Sequence, residues 1–185
     1  MARQDTKIFE RHYNHEYEYQ LPLNEEEQYE MVFPVGLKNS VSLFVYSVTF
    51  GGGFFYSFIA SPIAFQELER SQFSKVQSKV FPIYFLGQTV APIIIGLTSA
   101  IKLCPFTKGA LAVLSFCGAL NCFWLLPVCR SIKEERVALE KEGKDTSEVT
   151  KRFGKFHGIS TLVNMLSIIS LGAYGYGLGC KLARI

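Results

Sequence analysis

Four stretches of the 185-residue chain carry no Asp, Glu, Lys or Arg over lengths that match a bilayer: Asn39 to Gln66, Val80 to Ile101, Gly109 to Cys129 and Gly158 to Cys180. A helix rises ~1.5 Å per residue and membrane hydrocarbon is ~30 Å thick, so about 20 apolar residues suffice to cross it. Lipid offers no hydrogen-bond partner to a bare backbone, so each crossing has to be a helix. The chain is expected to be an all-α polytopic membrane protein, with four transmembrane helices, at about 41–60, 80–101, 109–129 and 158–178, in one antiparallel bundle.

The rest of the composition narrows the function by exclusion. A net charge of +3, without a Lys/Arg run or a basic stripe interleaved with aromatics, leaves no footprint for nucleic acid. Cys104, Cys117, Cys122, Cys129 and Cys180 form no CxxC pair and are odd in number, so no disulfide framework is expected. Cys122 and Cys129 share a helix face, but cysteine as a small packing residue explains them. Residues 1–38 hold eight acidic and four basic side chains and no apolar core, unlike a secretory signal or an Arg-rich presequence, and read as a mostly disordered tail. His12, His15 and Glu16 in that tail lack a supporting ligand cluster, so neither a metal site nor a cofactor is expected.

An even number of crossings puts both termini on one side, here side A, with the first and third loops on side B. Side B then carries eleven Lys and Arg, against five close to the spans on side A, which makes side B cytosolic by the positive-inside rule. In the first loop Phe65, Leu68, Phe73, Val76 and Val80 recur at helical spacing with Arg70, Lys75 and Lys79 between them. An amphipathic helix lying along the side B interface is expected there, either a solvated connector or a contact for lipid headgroups. In the third loop, SIKEERVALEKEG is rich in helix formers, pairs Arg130 with Glu134 and Glu140 with Lys144 at i,i+4, and stops at Gly143. Asp145 and Glu148 then open a second run, so a charged helical hairpin is expected on side B.

No motif carries a recognised chemistry: HExxH, GxSxG, a P-loop and paired carboxylates within the spans are all missing. The chain is read as a non-enzyme with no catalytic residue. Small residues in membrane helices let backbones approach, so Gly51, Gly52 and Gly53 are expected at a helix contact. Ala173 with Gly177 and Gly175 with Gly179 form two small-xxx-small pairs, for packing within the bundle or for a face between two copies.

Three amides enter the spans where no charge does. Gln88, Asn121 and Asn164 lie eight, eight and six residues in from side B, ~9 to 12 Å deep at ~1.5 Å per residue. At one level on three helices they can clamp the helices together or line a small polar cavity serving transport. Tyr56, Tyr84 and Trp124 lie just above, as an aromatic belt, and His157 sits at the mouth of the fourth span, as a gate or an exposed boundary residue. Pro62, Pro82, Pro92 and Pro127 are candidate kinks.

The segments FGGGFFYSFIASPIAF, FSKVQSKVFPIYF, LNCFWLLPVCRSIKEER and FGKFHGISTLVN, in this order on these spans, resemble the transmembrane protein 205-like family over about Phe50 to Gly177. SPIAF and the turn Cys104 to Phe106 are closer to fungal than to animal members. The resemblance implies a small four-span protein without an established catalytic activity. It points to the mitochondrial outer membrane through the fungal members, with the endoplasmic reticulum or another endomembrane as the alternative, and to tolerance of platinum drugs through the animal ones. Membrane lipids, and a second copy or another membrane protein, are the expected partners. The function expected is an organisational or lipid-associated one, the rival being a small oligomeric transporter or drug-efflux component.

Overall fold

The computed structural model describes residues 25–99 and 102–183, with side chains from Pro34 onward. The stretch before Glu25, with His12, His15 and Glu16, lies outside them. Among the described residues the regular structure is entirely helical. Helix α1 (Glu25–Phe55) runs through a π turn (Tyr56–Ala60) into α2 (Ser61–Glu67), and α3 (Arg70–Thr98) comes next. Helix α4 (Pro105–Leu120) runs through a second π turn (Asn121–Leu125) into α5 (Leu126–Lys141), and α6 (Ser147–Leu182) completes the chain. Four rods result, Pro34–Glu67, Arg70–Thr98, Pro105–Lys141 and Ser147–Leu182, each long and apolar enough to cross a membrane. By contacts the chain divides into the units Met1–Val35 and Gly36–Ile185, and the bundle belongs to the second.

Two expectations need correction. Residues 25–38, read as the end of a mostly disordered tail, already belong to α1, because EEEQYEM is a run of good helix formers. The first loop holds no separate interfacial helix. The chain breaks at Leu68 and Glu69, whose extended ψ angles are 145° and 146°, and Arg70 to Thr98 is then one helix. Nothing between Lys79 and Phe81 stops a helix, so the amphipathic segment with Arg70, Lys75 and Lys79 continues the second span outward.

Each π turn ends two residues before a proline, Pro62 or Pro127, whereas Pro34, Pro82 and Pro92 are accommodated within α1 and α3 without one. A proline inside a helix clashes with the carbonyl four residues earlier and offers it no N–H. For Pro62 that carbonyl belongs to Phe58 and for Pro127 to Phe123, the central residues of the two π turns. One extra residue per turn relieves the clash, and the wider bonds close from Ser61 N to Tyr56 O and from Leu126 N to Asn121 O.

Helix α4 packs closely against both α3 and α6. A Cβ on Gly118 would lie 2.7 Å from the backbone nitrogen of Thr89 on α3, and one on Gly177 of α6 would lie 2.5 Å from Cγ2 of Thr107 on α4. Towards side A the buried residues Ile95, Leu111, Tyr174 and Leu178 form the apolar core, joined by Val45, Tyr46 and Leu103. Tyr174 is hydrogen-bonded to Ser42 and Ser99, and its ring lies 5.3 Å from that of Tyr46. Helix α1 turns most of its apolar surface outward, where lipid would cover it.

The charged hairpin of α5 and α6 is present. Gly143 takes φ +67° at its turn, a conformation that suits glycine. Asp145 Oδ1 accepts the backbone N–H of Ser147 at 3.0 Å, which opens α6. Glu135 receives both its bonds from Arg152, joining the two arms. The expected pairs of Arg130 with Glu134 and Glu140 with Lys144 are replaced by Arg136 with Glu140 and Lys144 with Glu142.

Candidate functional site

The amide level is built by α3 and α6, with the first π turn alongside. Gln88 and Tyr84 are one turn apart on α3 and point to Asn164 on α6. Nε2 of Gln88 donates to Oδ1 of Asn164 at 3.0 Å and to Oη of Tyr84 at 2.9 Å. The Tyr84 hydroxyl donates to the same Asn164 oxygen at 3.0 Å, and Nδ2 of Asn164 donates to Oγ of Ser57 at 3.0 Å. Ser57 belongs to the first π turn, which sets it 3.2 Å from the Tyr84 hydroxyl. Three helical rods thus share one network of four polar side chains. Oε1 of Gln88 is its one buried side-chain oxygen without a partner.

Asn121 stands apart from this network. It is the first residue of the second π turn; its Oδ1 accepts from Oγ of Ser160 at 2.7 Å and its Nδ2 donates to the Ser160 carbonyl at 3.3 Å. Ser160 and Asn164 are one turn apart on α6, so two polar clusters sit one above the other along that helix. Gln88 is 1% and Asn121 0% exposed, which seals both amides from solvent.

Nearer side B, Gln77 bridges α3 to the first rod: its Oε1 accepts from the Tyr56 hydroxyl and its Nε2 donates to Oγ of Ser61 at 2.8 Å. Sequence reading passed over Gln77, Ser57 and Ser160. Gln77 lies outside the uncharged stretches, and serines are too frequent in spans to single out. His157 is exposed, stacks on Phe153 at 5.5 Å, and bonds to none of these polar groups. Trp124 faces outward, about half exposed.

The glycines divide. A Cβ on Gly53 would meet the Tyr84 hydroxyl at 3.3 Å and one on Gly175 would collide with the Tyr46 hydroxyl, whereas Gly51, Gly52 and Gly179 face open space. Consecutive helical residues are turned by about 100°, so three adjacent glycines cannot share one contact face, and the expectation for Gly51 and Gly52 is corrected. Gly118, against the α3 backbone, and Gly177, against Thr107, complete the set.

Arg70, Lys75 and Lys79 are exposed on the outer turns of α3. Across from them Arg130 donates Nη2 to the carbonyl of Ser78 at 2.9 Å, and Nζ of Lys133 donates to Oγ of Ser74. The five cysteines are unbridged, and among the described residues no three His, Cys, Asp or Glu side chains cluster as metal ligands would.

Residues 44–138 match the family described as a domain of unknown function, DUF4149, and the chain belongs to that family. It is 26% identical over 155 residues to xanthocillin biosynthesis cluster protein D of Aspergillus fumigatus, covering 76% of this chain and 88% of that one. It is 30% identical over 138 residues to an uncharacterized protein of Aquifex aeolicus, covering 74% of this chain and 93% of the other. No solved structure matches.

Proposed function

We propose that this DUF4149 member is not an enzyme and acts as an organisational, lipid-associated component of an intracellular membrane, its amides serving as an interhelical clamp. The sealing of Gln88 and Asn121 carries this reading, since a transport route at their level requires water to reach them. Nε2 of Gln88 and both amide atoms of Asn164 are engaged with each other and with Tyr84 and Ser57, as in a clamp. Membrane lipids are the main partner in this reading.

Thiol labelling tests it. Cysteines placed singly at Gln88, Asn121 and Asn164, in a chain freed of its five native cysteines, are expected to stay unreactive towards membrane-impermeant reagents from either side. Rapid labelling from side B at two or more of these positions overturns the clamp in favour of a cavity.

That second reading, a small oligomeric transporter or efflux component, draws on one observation: the Aspergillus relative is named for a biosynthesis cluster, where a membrane protein could move a small product. The likeness to the transmembrane protein 205-like family supports the mitochondrial outer membrane as the location. Carbonate-resistant co-fractionation with outer-membrane markers is the expected result; co-fractionation with endoplasmic reticulum contradicts it. The basic side B is taken as cytosolic. Protease treatment of intact organelles is expected to cut the α5–α6 hairpin, and its protection would reverse the orientation.

A further inference from the structure

Where side B meets the membrane, the cations of the hairpin and of α3 behave unlike those farther out. Arg136, Lys144, Lys151 and Arg152, on the outer hairpin, each pair with a carboxylate, and there only Lys141 does not. At the membrane boundary Arg70, Lys75, Lys79, Arg130, Lys133 and Lys155 have no carboxylate within ion-pair distance among the described residues, and Glu69 and Glu134, close by in sequence, form no ion pair either. Lys79 directly precedes one uncharged stretch and Arg130 directly follows another, so this unpaired charge lies at headgroup depth.

Two of these cations are held in place. Arg130 is tied to the Ser78 carbonyl and Lys133 to the Ser74 hydroxyl, both across the gap from α5 to α3. Ser74 and Ser78 are one helical turn apart, about 5–6 Å between their Cβ atoms, so the two cations are anchored on neighbouring turns of α3. One phosphate group can accept charge-assisted bonds of about 2.7–2.9 Å from both. The free hydrogen-bonding capacity of the notch is mostly donors. The guanidinium keeps four N–H groups, the ammonium two, and Ser74, which accepts from Lys133, keeps its own proton. Ser78 is excluded, because its hydroxyl donates to the Lys75 carbonyl at 2.7 Å. A ligand that only accepts hydrogen bonds and carries negative charge is the complement.

We infer that Arg130, Lys133 and Ser74 form a notch between α5 and α3 that binds the phosphate of an anionic phospholipid headgroup, with Lys75 and Lys79 adding to the local field. The inference rests on the lipid-associated reading and gives it a site. Its position at the edge of the hydrocarbon favours a lipid phosphate over a free one, since the acyl chains then lie against the outward apolar surface of α3, at Ile83.

The test is a thermal titration of the full-length protein in detergent with phosphatidic acid, phosphatidylcholine or inorganic phosphate. Phosphatidic acid is expected to raise the melting temperature and the other two are not. In R130Q/K133Q, the phosphatidic acid needed for half of that rise is expected to increase on the order of tenfold. K141Q/K144Q, which removes equal charge from the far end of the hairpin, should titrate as wild type. If the double variant does not fold, S74A, which keeps both charges, is expected to show a smaller increase in the same direction. An unchanged titration in the variants at the notch overturns the site. Equal loss in K141Q/K144Q reduces it to diffuse charge and overturns the notch, and an equal shift with inorganic phosphate makes the ligand a free anion and overturns the lipid assignment. The result is independent of thiol labelling at Gln88, so failure of the notch and failure of the clamp can be told apart.

Discussion

Arg130 supplies the hydrogen bond that Pro82 withholds from Ser78. In a regular helix the Ser78 carbonyl would accept the N–H of residue 82, but proline has none, and Nη2 of Arg130 stands 2.9 Å from that oxygen instead. The helix break encoded in one span is mended by a side chain from another.

Arg130→Ala is therefore expected to lower unfolding stability in detergent by about 1 kcal/mol, the usual net worth of one hydrogen bond. In a Pro82→Ala background, where the backbone N–H returns, the same change should cost measurably less. Strict additivity of the two substitutions would sink the relationship.

The amide network predicts unequal coupling. Gln88→Leu and Asn164→Leu share a bond and should be non-additive by roughly 0.5–3 kcal/mol, whereas Gln88→Leu and Asn121→Leu, which share none, should add. Equilibrium unfolding of the two double-mutant cycles decides. Equal coupling in both would merge the two clusters into one.

Glycine substitutions should split by facing. Gly118→Ala forces a Cβ against the α3 backbone and is expected to cost about 1–3 kcal/mol, as overpacking does, while Gly52→Leu should leave the melting temperature near that of wild type. A large loss at Gly52 would mean that this open face is covered by something other than lipid.

The start of α6 carries a pH dependence. Hydrogen bonds from the Ser147 hydroxyl and backbone hold the Asp145 carboxyl below its ordinary value. A folded-state value below the unfolded one means that the ionised cap stabilises above the unfolded value, near pH 4, and that this is lost as pH falls through the folded value. Amide exchange in the first turn of α6 should thus accelerate in wild type below about pH 4, after correction for intrinsic rates, and show no such step in D145N. A matching step in the variant would place the titration elsewhere.

The four spans were legible because excluding charge over a bilayer's thickness is a demand few other folds make. Depth was legible too, because rise per residue is constant along a helix; counting from side B put Gln88 and Asn164 at one level. Rotation was not. Counting residues does not show which way Gly51, Gly52 and Gly53 face, nor that Asn121 meets Ser160, because each π turn adds a residue and shifts the phase beyond it. The course of Arg70 to Lys79 was hidden for another reason: an amphipathic segment looks the same whether it lies flat on a membrane or continues a span. The ligands of Arg130 and Lys133 depend on which turns of α3 and α5 come side by side, a tertiary fact without a local signature.

The two π turns also bear on how the chain tolerates changes in its own length. Each holds one residue more than the α-helix on either side, so removing a residue inside it restores the common winding while both flanks keep their directions. Deletions of one residue within Tyr56–Ala60 or Asn121–Leu125 are thus absorbed locally, whereas the same loss in the middle of α3 would rotate everything beyond it by about 100° and turn bundle-facing side chains towards lipid. In an alignment of relatives, gaps of a single position inside the spans belong at these two places.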